Sequence, residues 1–410
     1  MKIAVLVNSL VRVGGIAKHT LRASQEFAQM GHQVTVWAVE YDPDNCYPEL
    51  TKGLDVRGLR GPRPAETGQK ATAPGMRMAA YLLGLWQLYL DQRRFSTVIP
   101  GGYDVIHPNG NEIIWAAAEY KRRHGTPVVW MCNDFWPMAS HRHERVPGVA
   151  GQLRHAAKSA LSMPFERYDR AAVRDADRIA VLSEQVRGQM KRHYGVQPVI
   201  VRAGVDSTKF QSGDGWAARE RLGIRHDSFL LLTVCELMSR RRLEDVIRAV
   251  RVLVDEGLDL TYVVAGRTSH SPDYTRFVQA EAFTTGLDGR VRFMGEVPEA
   301  ELPDIYQACD AFVWASDENQ SWGLAPMEAM AAGKPVIVSR ANGLAEVLED
   351  GQTALLVVPR SPEAIAAAVK RLIAGPPMRQ ALAGRGQELV REEYSWRRNA
   401  ERMLELFARW

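Results

Sequence analysis

The stretch 321–328 places a loop that can hold a phosphate beside a carboxylate that can bind hydroxyl groups. Loop 321–324 precedes a run of helix-forming residues with Pro326 in the first turn and Glu328 shortly after it. The first N–H groups of a helix lack helical partners and attract anions, and Gly323 lets a phosphate approach the backbone. This combination is typical of a nucleotide-sugar site. An ordinary strand-to-helix turn of an α/β domain is the alternative interpretation.

Three consecutive arginines are a second candidate for binding phosphate. Arg240, Arg241 and Arg242 follow a strand predicted over 229–234 and precede a helix predicted over 243–256. Guanidinium groups bind phosphate oxygens in pairs, so this turn is interpreted as a diphosphate clamp. Ordinary surface charge is the alternative.

A pair of glycines follows the first predicted strand. Gly14 and Gly15 precede a helix predicted over 16–30, at the turn where doubly wound sheets commonly receive a ligand. The segment does not read G-x-G-x-x-G, so a dinucleotide cofactor is not supported. We interpret the pair as a substrate loop, with a simple turn as the alternative.

The bulk composition is that of a globular protein with two cores. A chain of 410 residues with 46% hydrophobic and 24% charged residues suits two domains of about 200 residues each. The net charge of +4 suits an anionic substrate or a membrane surface and does not require nucleic acid.

The cysteines and the apolar segments indicate a cytoplasmic setting. The four cysteines include no C-x-x-C pair, which predicts reduced, buried thiols. Met1 and Lys2 lead directly into a predicted strand, so we expect no signal peptide. The most apolar helical segment, 78–90, is too short to span a bilayer.

Predicted strands and helices alternate through both halves of the chain. Strands are predicted over 3–7, 33–39, 104–107, 127–131, 176–183 and 198–202, and then over 229–234, 260–265, 290–295, 309–315, 336–339 and 354–358. This alternation predicts two doubly wound, Rossmann-like α/β domains with parallel sheets, facing each other across a cleft lined by strand-end loops.

Two further stretches have alternative interpretations. The apolar, aromatic helix predicted over 76–95 is interpreted as part of the core, with contact to a membrane surface or a lipid acceptor as the alternative. The basic stretch 141–178 is interpreted as a solvated helical face, with docking of a phosphate-bearing acceptor as the alternative.

Motifs along nearly the whole chain resemble one known family. The segment WGLAPMEAMAAGKPVI at 322–337 is close to the family core FGLxxxEAMAxGxPVI, and 290–316 is similar to RVxFLGxVxxxELxxxYxxADxFVxPS. MGHQVTV at 30–36 and AGVD at 203–206 resemble RGHEVTV and NGVD. The family is the retaining glycosyltransferases of GT-B fold, family 4 (glycosyl transferases group 1).

The resemblance implies roles for individual residues. Glu328 would bind the ribose hydroxyls of a nucleotide-sugar donor, and the loop at Val297 would hold the nucleobase. Arg241 takes the place of the family's phosphate-binding lysine. The candidate catalytic residues are Gln320, Glu328, Asn133 and Asp134, and the candidate donor-binding residues are Gly14, Gly15, Arg240, Arg241, Val297, Gln320, Ser321, Trp322, Gly323, Leu324 and Glu328.

The chain also departs from the family pattern. Gln320 replaces the first glutamate of the paired-glutamate motif and Ser321 replaces the glycine after it. Glu236 stands where the family has a phosphate-binding arginine, a change that Arg240 or Arg242 would compensate. Asn133 replaces a histidine and cannot accept a proton at neutral pH.

These observations lead to the expectation of a retaining, metal-independent hexosyltransferase with no cofactor. We expect an acceptor-binding domain over 1–210 together with the C-terminal helix 395–410, and a donor-binding domain over 211–394. The product would belong to glycan, glycolipid, glycoside or polysaccharide biosynthesis. A GT-B-fold epimerase or phosphorylase-like enzyme and a sugar-nucleotide-binding pseudoenzyme are the alternatives. Asp42-Pro43-Asp44 and the histidines at 141–143 are not interpreted as metal ligands.

Overall fold

The chain folds into two compact units. The computed structural model describes residues 1–11, 14–62, 74–135, 149–269, 271–317 and 321–408. The first unit comprises Met1–Val201 and Ala400–Trp410, and the second comprises Arg202–Asn399. Each unit is an α/β unit with one parallel sheet, which confirms the predicted fold class.

The first unit is built on a parallel sheet in the order β3-β2-β1-β4-β5-β6-β7. Its strands are β1 (Lys2–Leu10), β2 (Gln33–Tyr41), β3 (Asp55–Arg60), β4 (Val105–Asn109), β5 (Val129–Cys132), β6 (Arg178–Val181) and β7 (Val199–Ile200). Its helices are α1 (Gly15–Gln29), α2 (Pro48–Thr51), α3 (Pro74–Val98), α4 (Ile114–His124), α5 (Val149–Asp175) and α6 (Glu184–Tyr194).

The second unit is built on a parallel sheet in the order β10-β9-β8-β11-β12-β13. Its strands are β8 (Phe229–Val234), β9 (Leu260–Ala265), β10 (Val291–Gly295), β11 (Ala311–Trp314), β12 (Val336–Ser339) and β13 (Leu355–Val357). Its helices are α7 (Gly215–Arg221), α8 (Leu243–Asp255), α9 (Pro272–Thr284), α10 (Leu302–Ala308), α11 (Leu324–Ala331), α12 (Pro362–Ala374) and α13 (Pro376–Glu393), and the chain ends in α14 (Trp396–Phe407).

The end of α14 contributes to the core of the first unit. The ring of Phe407 lies 5.5 Å from that of Phe27 on α1 and 5.1 Å from that of His107 on β4. Burial lowers the pKa of His107 to about 4, so its ring is neutral at physiological pH. A neutral imidazole packs between aromatic rings without the cost of burying a charge.

The predicted strands lie where the structure has them, with one omission. β3 was not predicted, because its sequence has few apolar residues and its side chains are mostly exposed or half-buried. It pairs with β2 alone, at the edge of the sheet. An edge strand contributes little to the core, so hydrophobic alternation is a weak signal there.

Candidate functional site

Loops that follow three strands lie at the carboxyl edge of the second sheet. Arg240 and Arg241 follow β8, Val297 follows β10, and loop 321–323 lies between β11 and α11. The backbone N–H of Asp317 donates to the carbonyl oxygen of Arg240 at 3.0 Å, which joins the loops after β8 and β11. The structure therefore brings the predicted arginine clamp next to the predicted phosphate loop.

The three consecutive arginines have different surroundings. The guanidinium of Arg241 lies over the ring of Trp314 at 4.6 Å, and that cation–π contact orients it at the end of β11. Nε of Arg240 hydrogen-bonds Sδ of Met238 at 2.9 Å.

The guanidinium of Arg242 is engaged by two carboxylates of its own helix. It contacts Asp245 at 2.9 Å and Glu244 at 2.8 Å. The hydrogen bond with Asp245 is the main cause of the raised pKa of Arg242. Arg242 is therefore poorly placed to replace the missing family arginine.

The negative charge of Glu236, which stands where the family has an arginine, is balanced by a neighbouring arginine. Arg267, which follows β9, forms an ion pair with Glu236. Because a carboxylate near a diphosphate would repel it, this pairing lets the loop after β8 remain compatible with an anionic ligand.

The start of α11 has the geometry expected of an anion site. Gly323 is its N-cap and has no side chain with which to cap the helix. Ser321 and Trp322 are buried, and the indole Nε1 of Trp322 donates to Sδ of Met327 at 2.9 Å. Trp322 thus anchors the loop through its side chain, and Leu324 begins the helix.

Glu328 lies one turn inside α11 and is 5% exposed. Its Oε2 accepts a hydrogen bond of 2.8 Å from the phenol of Tyr306 on α10. Burial, together with the charge of Glu328, raises the pKa of Tyr306 well above its ordinary value. The phenol therefore stays protonated and holds the carboxylate in one orientation.

A side chain at Gly323 would collide with the first turn of α11. A Cβ atom there would lie 2.8 Å from Cγ of Pro326 and 3.4 Å from Nε1 of Trp314. Overpacking of this kind costs about 1–3 kcal/mol. We expect Gly323→Ala to lower both the free energy of unfolding and the affinity for a nucleoside diphosphate, measured by denaturation and calorimetry.

Gly384→Ala is the matched control for that substitution. A Cβ atom added at Gly384, within α13, meets nothing within 4 Å. This control is expected to retain wild-type affinity and to be at least as stable as the wild type. Unchanged stability and affinity in Gly323→Ala would contradict the tight contact.

The structure gives few contacts for the two remaining predicted residues of the second unit, Gln320 and Val297. Gln320 lies outside the described residues. Val297 is half-buried. It lies two residues after Gly295, which has a φ of 76° and whose carbonyl oxygen accepts a hydrogen bond from the backbone N–H of Gly266. The site assignments themselves stay predictions.

In the first unit, the glycine pair begins α1. The N–H of Gly14 donates to the hydroxyl of Tyr47 at 3.0 Å, and a Cβ added at Gly14 would meet nothing within 4 Å. Gly15 is the first residue of the helix. Among the described residues, the space on the Cβ side of Gly14 is open, which suits close approach of a ligand.

Asn133 and Asp134 follow β5 at the same edge of the first sheet. The side-chain amide of Asn133 hydrogen-bonds Nδ1 of His19 on α1 at 2.8 Å, and both residues are buried. Asp134 is half-buried, and its carbonyl oxygen lies 3.3 Å from Sγ of Cys132. The contact joins Asn133 to the helix that the glycine pair begins.

The two ambiguous stretches of the first unit are partly described. On α3, Leu85 and Phe95 are buried as expected, whereas Leu83, Trp86 and Leu90 are each more than half exposed. In the basic stretch, residues 141–148 lie outside the described part of the chain. On α5, Arg167 and Arg174 are exposed, and Arg170 binds the carbonyl oxygen of His193.

Several residues of these edges were not found from the sequence. Tyr306 contacts Glu328, and His19 contacts Asn133. Arg267 contacts Glu236, and Asn8 contacts Glu112, as described below. Asn8 and Glu112 did carry a signal, since polar residues at the ends of buried strands often face a ligand.

Three features are absent from the described residues: a metal-binding cluster, a membrane-spanning helix and a disulfide. No group of three or more His, Cys, Asp or Glu side chains in the described ranges could hold a metal ion. No described helix is both long enough and apolar enough to cross a membrane. The cysteines, all within the described residues, are buried and form no disulfide.

Curated proteins and solved structures resemble this chain over most of its length. A D-inositol 3-phosphate glycosyltransferase of Saccharomonospora viridis is 28% identical over 96% of this chain and 89% of the relative. Another, from Streptomyces avermitilis, is 30% identical over 85% of this chain and 72% of the relative.

Solved structures show the same fold. Anabaena HepE in complex with UDP and glucose is 18% identical, with a TM-score of 0.74 over the whole of both chains. WaaG, a glycosyltransferase involved in lipopolysaccharide biosynthesis, is also 18% identical, with a TM-score of 0.68 over 99% of both chains. The fold is the GT-B fold.

Family models account for both units. The model described as Glycosyltransferase Family 4 matches residues 13–209, and the model described as Glycosyl transferases group 1 matches residues 214–389. Together with the relative at 30% identity, these matches confirm the resemblance drawn from the motifs. The chain belongs to the family 4 glycosyltransferases (glycosyl transferases group 1).

Proposed function

We propose that this glycosyltransferase moves a hexosyl group from a nucleoside diphosphate sugar to an acceptor hydroxyl with retention of anomeric configuration. The second unit would bind the donor and the first unit the acceptor. One observation carries the donor assignment: the loop that leads to the glycine-capped start of α11, with Glu328 one turn inside that helix, adjoins the loop after β8 that carries Arg241.

The proposed chemistry needs no carboxylate nucleophile. The acceptor oxygen attacks the anomeric carbon from the face that the diphosphate leaves, and the bond from that carbon to the phosphate oxygen breaks. The departing diphosphate takes the acceptor's proton, so atoms and charge balance. The protein supplies orientation of both substrates and positive charge for the leaving group.

We propose that guanidinium groups replace a divalent cation in stabilising the leaving diphosphate. Arg241 and the N–H groups at the start of α11 are the donors that would carry this charge. The reaction is then expected to need no metal and no cofactor beyond the donor. Full turnover in EDTA supports this part of the proposal, and restoration of activity by magnesium or manganese contradicts it.

A panel of donors tests the proposed function directly. HepE has been solved in complex with UDP-glucose, which makes UDP-sugars the first arm of the panel, with GDP-, ADP- and TDP-sugars as the others. A bound donor stabilises the fold by about 2.7 kcal/mol at a concentration of 100 Kd, so the melting temperature rises. Nuclear magnetic resonance of the product then determines the anomeric configuration.

The outcomes of this panel separate the alternatives. Conversion of the donor without an acceptor would indicate an epimerase or phosphorylase-like activity. A melting shift without turnover would indicate a sugar-nucleotide-binding pseudoenzyme, and an inverted product would contradict retention.

We place the product in glycan, glycolipid or polysaccharide biosynthesis, at the cytoplasmic face of a membrane.

The exposed face of α3 is the proposed contact with that membrane. Leu83, Trp86 and Leu90 are spaced to share one face of the helix, and the ring of Trp86 lies 5.4 Å from that of Phe165 on α5. Leu161, one turn before Phe165, is also exposed. The side chain of Arg93 on the same helix is more than half exposed, and its guanidinium, 4.0 Å from Glu119, would attract anionic headgroups.

Substitution of Trp86 tests this contact. We expect Trp86→Ser to weaken cosedimentation with anionic vesicles roughly tenfold, because burial of a large apolar side chain contributes about 1.5–3 kcal/mol. Phe283→Ser removes an aromatic ring that is 74% exposed on α9 and should bind vesicles like the wild type. Equal losses in both variants, or no binding by the wild type, would contradict the proposal.

A further inference from the structure

A relay of amide groups holds a carboxylate at the carboxyl edge of the first sheet. The side-chain nitrogen of Gln92, on α3, donates to Oδ1 of Asn8 at 2.7 Å. The side-chain nitrogen of Asn8, on β1, donates in turn to Oε2 of Glu112 at 3.1 Å. Because Gln92 fixes the side-chain amide of Asn8 and Asn8 donates to Glu112, the carboxylate is held in one orientation.

The position of this relay is that of a ligand site. Asn8 lies near the carboxyl end of β1, and Glu112 follows the adjacent strand β4. Ligands of open α/β sheets bind outside the carboxyl ends of their strands. Asn8 and Glu112 are half-buried, so their side chains keep some exposure to solvent.

One buried carbonyl oxygen of the relay has no hydrogen-bond donor among the described residues. It is Oε1 of Gln92, in a side chain that is 2% exposed. Oδ1 of Asn109 also lacks a described donor, but Asn109 pairs with Val7, so its side chain lies on the opposite face of the sheet from Asn8. The carboxylate of Glu112 accepts hydrogen bonds, so a ligand that supplies O–H or N–H groups would match the relay.

The described charges beside the relay are unfavourable for a phosphate. The guanidinium of Arg60, at the end of β3, is engaged by Glu40 at 3.0 Å and by Asp91 at 2.9 Å. Asp91 is the neighbour of Gln92 on α3. Within the described part of the chain, these residues and Glu112 set one cation against three carboxylates, a balance that would repel a phosphate dianion.

We propose that Glu112 binds the acceptor, positioned by Asn8 and Gln92, and that the acceptor is a polyol that presents hydroxyl or ammonium groups there and carries no phosphate. The inference rests on the proposed function, since it assumes that the first unit receives the acceptor. The curated relatives are named for an inositol phosphate acceptor, so this chain would differ from them in substrate class.

Three compounds with one ring test the acceptor class. Myo-inositol, an amino-deoxyinositol and D-inositol 3-phosphate are titrated into the full-length protein in the presence of nucleoside diphosphate. We expect the neutral and amino compounds to bind at least tenfold more tightly than the phosphate. Tighter binding of the amino compound identifies ammonium as the preferred group, and equal binding identifies hydroxyls. Preferential binding of the phosphate, or no binding of any compound, would overturn the proposal.

Substitution of Glu112 by its isosteric amide tests whether this carboxylate binds the acceptor. Glu112→Gln is expected to weaken binding of the amino compound about tenfold and to strengthen binding of the phosphate. Asn8→Ser, which breaks the relay but keeps the carboxylate, is expected to raise the KM of the acceptor severalfold with little change in kcat. Unchanged binding in Glu112→Gln would overturn the assignment.

Glu184→Gln is the matched control, because it removes the same charge from an exposed position on α6. It should bind all three compounds like the wild type.

Donor-induced melting shifts separate the two proposals. If Glu112→Gln loses the acceptor but keeps the donor shift, both proposals stand. If no nucleotide sugar shifts the wild type while the polyol still binds, the proposed function fails and Glu112 belongs to a polyol-binding site that is not an acceptor site.

Discussion

Replacement of Glu328 by alanine is expected to lower kcat/KM for the nucleotide sugar roughly 10- to 150-fold. Hydrogen bonds to a charged group contribute about 1.5–3 kcal/mol, and each 1.4 kcal/mol corresponds to a tenfold change. The carboxylate is 5% exposed and oriented by Tyr306, so its bonds to donor hydroxyls would be made in a largely dry setting. Steady-state kinetics on the donor identified by the melting panel measure the effect.

Stability must be measured beside activity for this variant. Glu328→Ala leaves the buried phenol of Tyr306 without its acceptor, which costs about 1–3 kcal/mol of unfolding free energy. Glu328→Gln retains an oxygen for that phenol and removes only the charge. We expect it to melt near the wild type and still to lose at least tenfold in kcat/KM.

Tyr306→Phe separates orientation from direct binding. The phenol contacts Glu328 and is fully buried, so its removal should raise KM severalfold and leave kcat almost unchanged. Wild-type kinetics in both Glu328→Ala and Glu328→Gln would show that this carboxylate does not contact the donor, and the donor site would then have to be placed elsewhere.

The second unit was predictable because its strands are continuous apolar runs with clear boundaries. The predictions over 229–234 and 260–265 match β8 and β9 residue for residue. Parallel strands that end at one edge also bring Arg241 and loop 321–323 together, without any need to know side-chain contacts. The position of a residue at a strand end was therefore readable from the sequence.

The contacts between side chains could not be predicted from the sequence in this way. His19 and Asn133 are 114 residues apart, and Asn8 and Glu112 are 104 residues apart. Their contacts depend on which strands are neighbours and on which face of a helix meets the sheet. The ion pair of Glu236 with Arg267 has the same origin, since it joins loops after two adjacent strands. The periodicity of apolar residues along the chain gives no information about which distant side chains contact each other.

Replacement of Arg241 by alanine is the second substitution with a large expected effect. Its guanidinium is oriented over the ring of Trp314 at 4.6 Å, beside the loop that ends at the start of α11. Loss of one donor that stabilises charge in a transition state typically lowers kcat by about 10²- to 10³-fold. We expect a loss in this range for Arg241→Ala, measured as kcat with saturating donor.

Two further variants distinguish a directed contact from general positive charge. Arg241→Lys keeps the charge but loses the planar fork and the stacking on Trp314, so it should recover only part of the activity. Arg242→Gln removes the same charge one residue away, but its guanidinium is already engaged by Glu244 and Asp245. It should therefore lose much less activity than Arg241→Ala. Equal losses at 241 and 242 would mean that the net charge of the turn, rather than an aimed guanidinium, stabilises the leaving group.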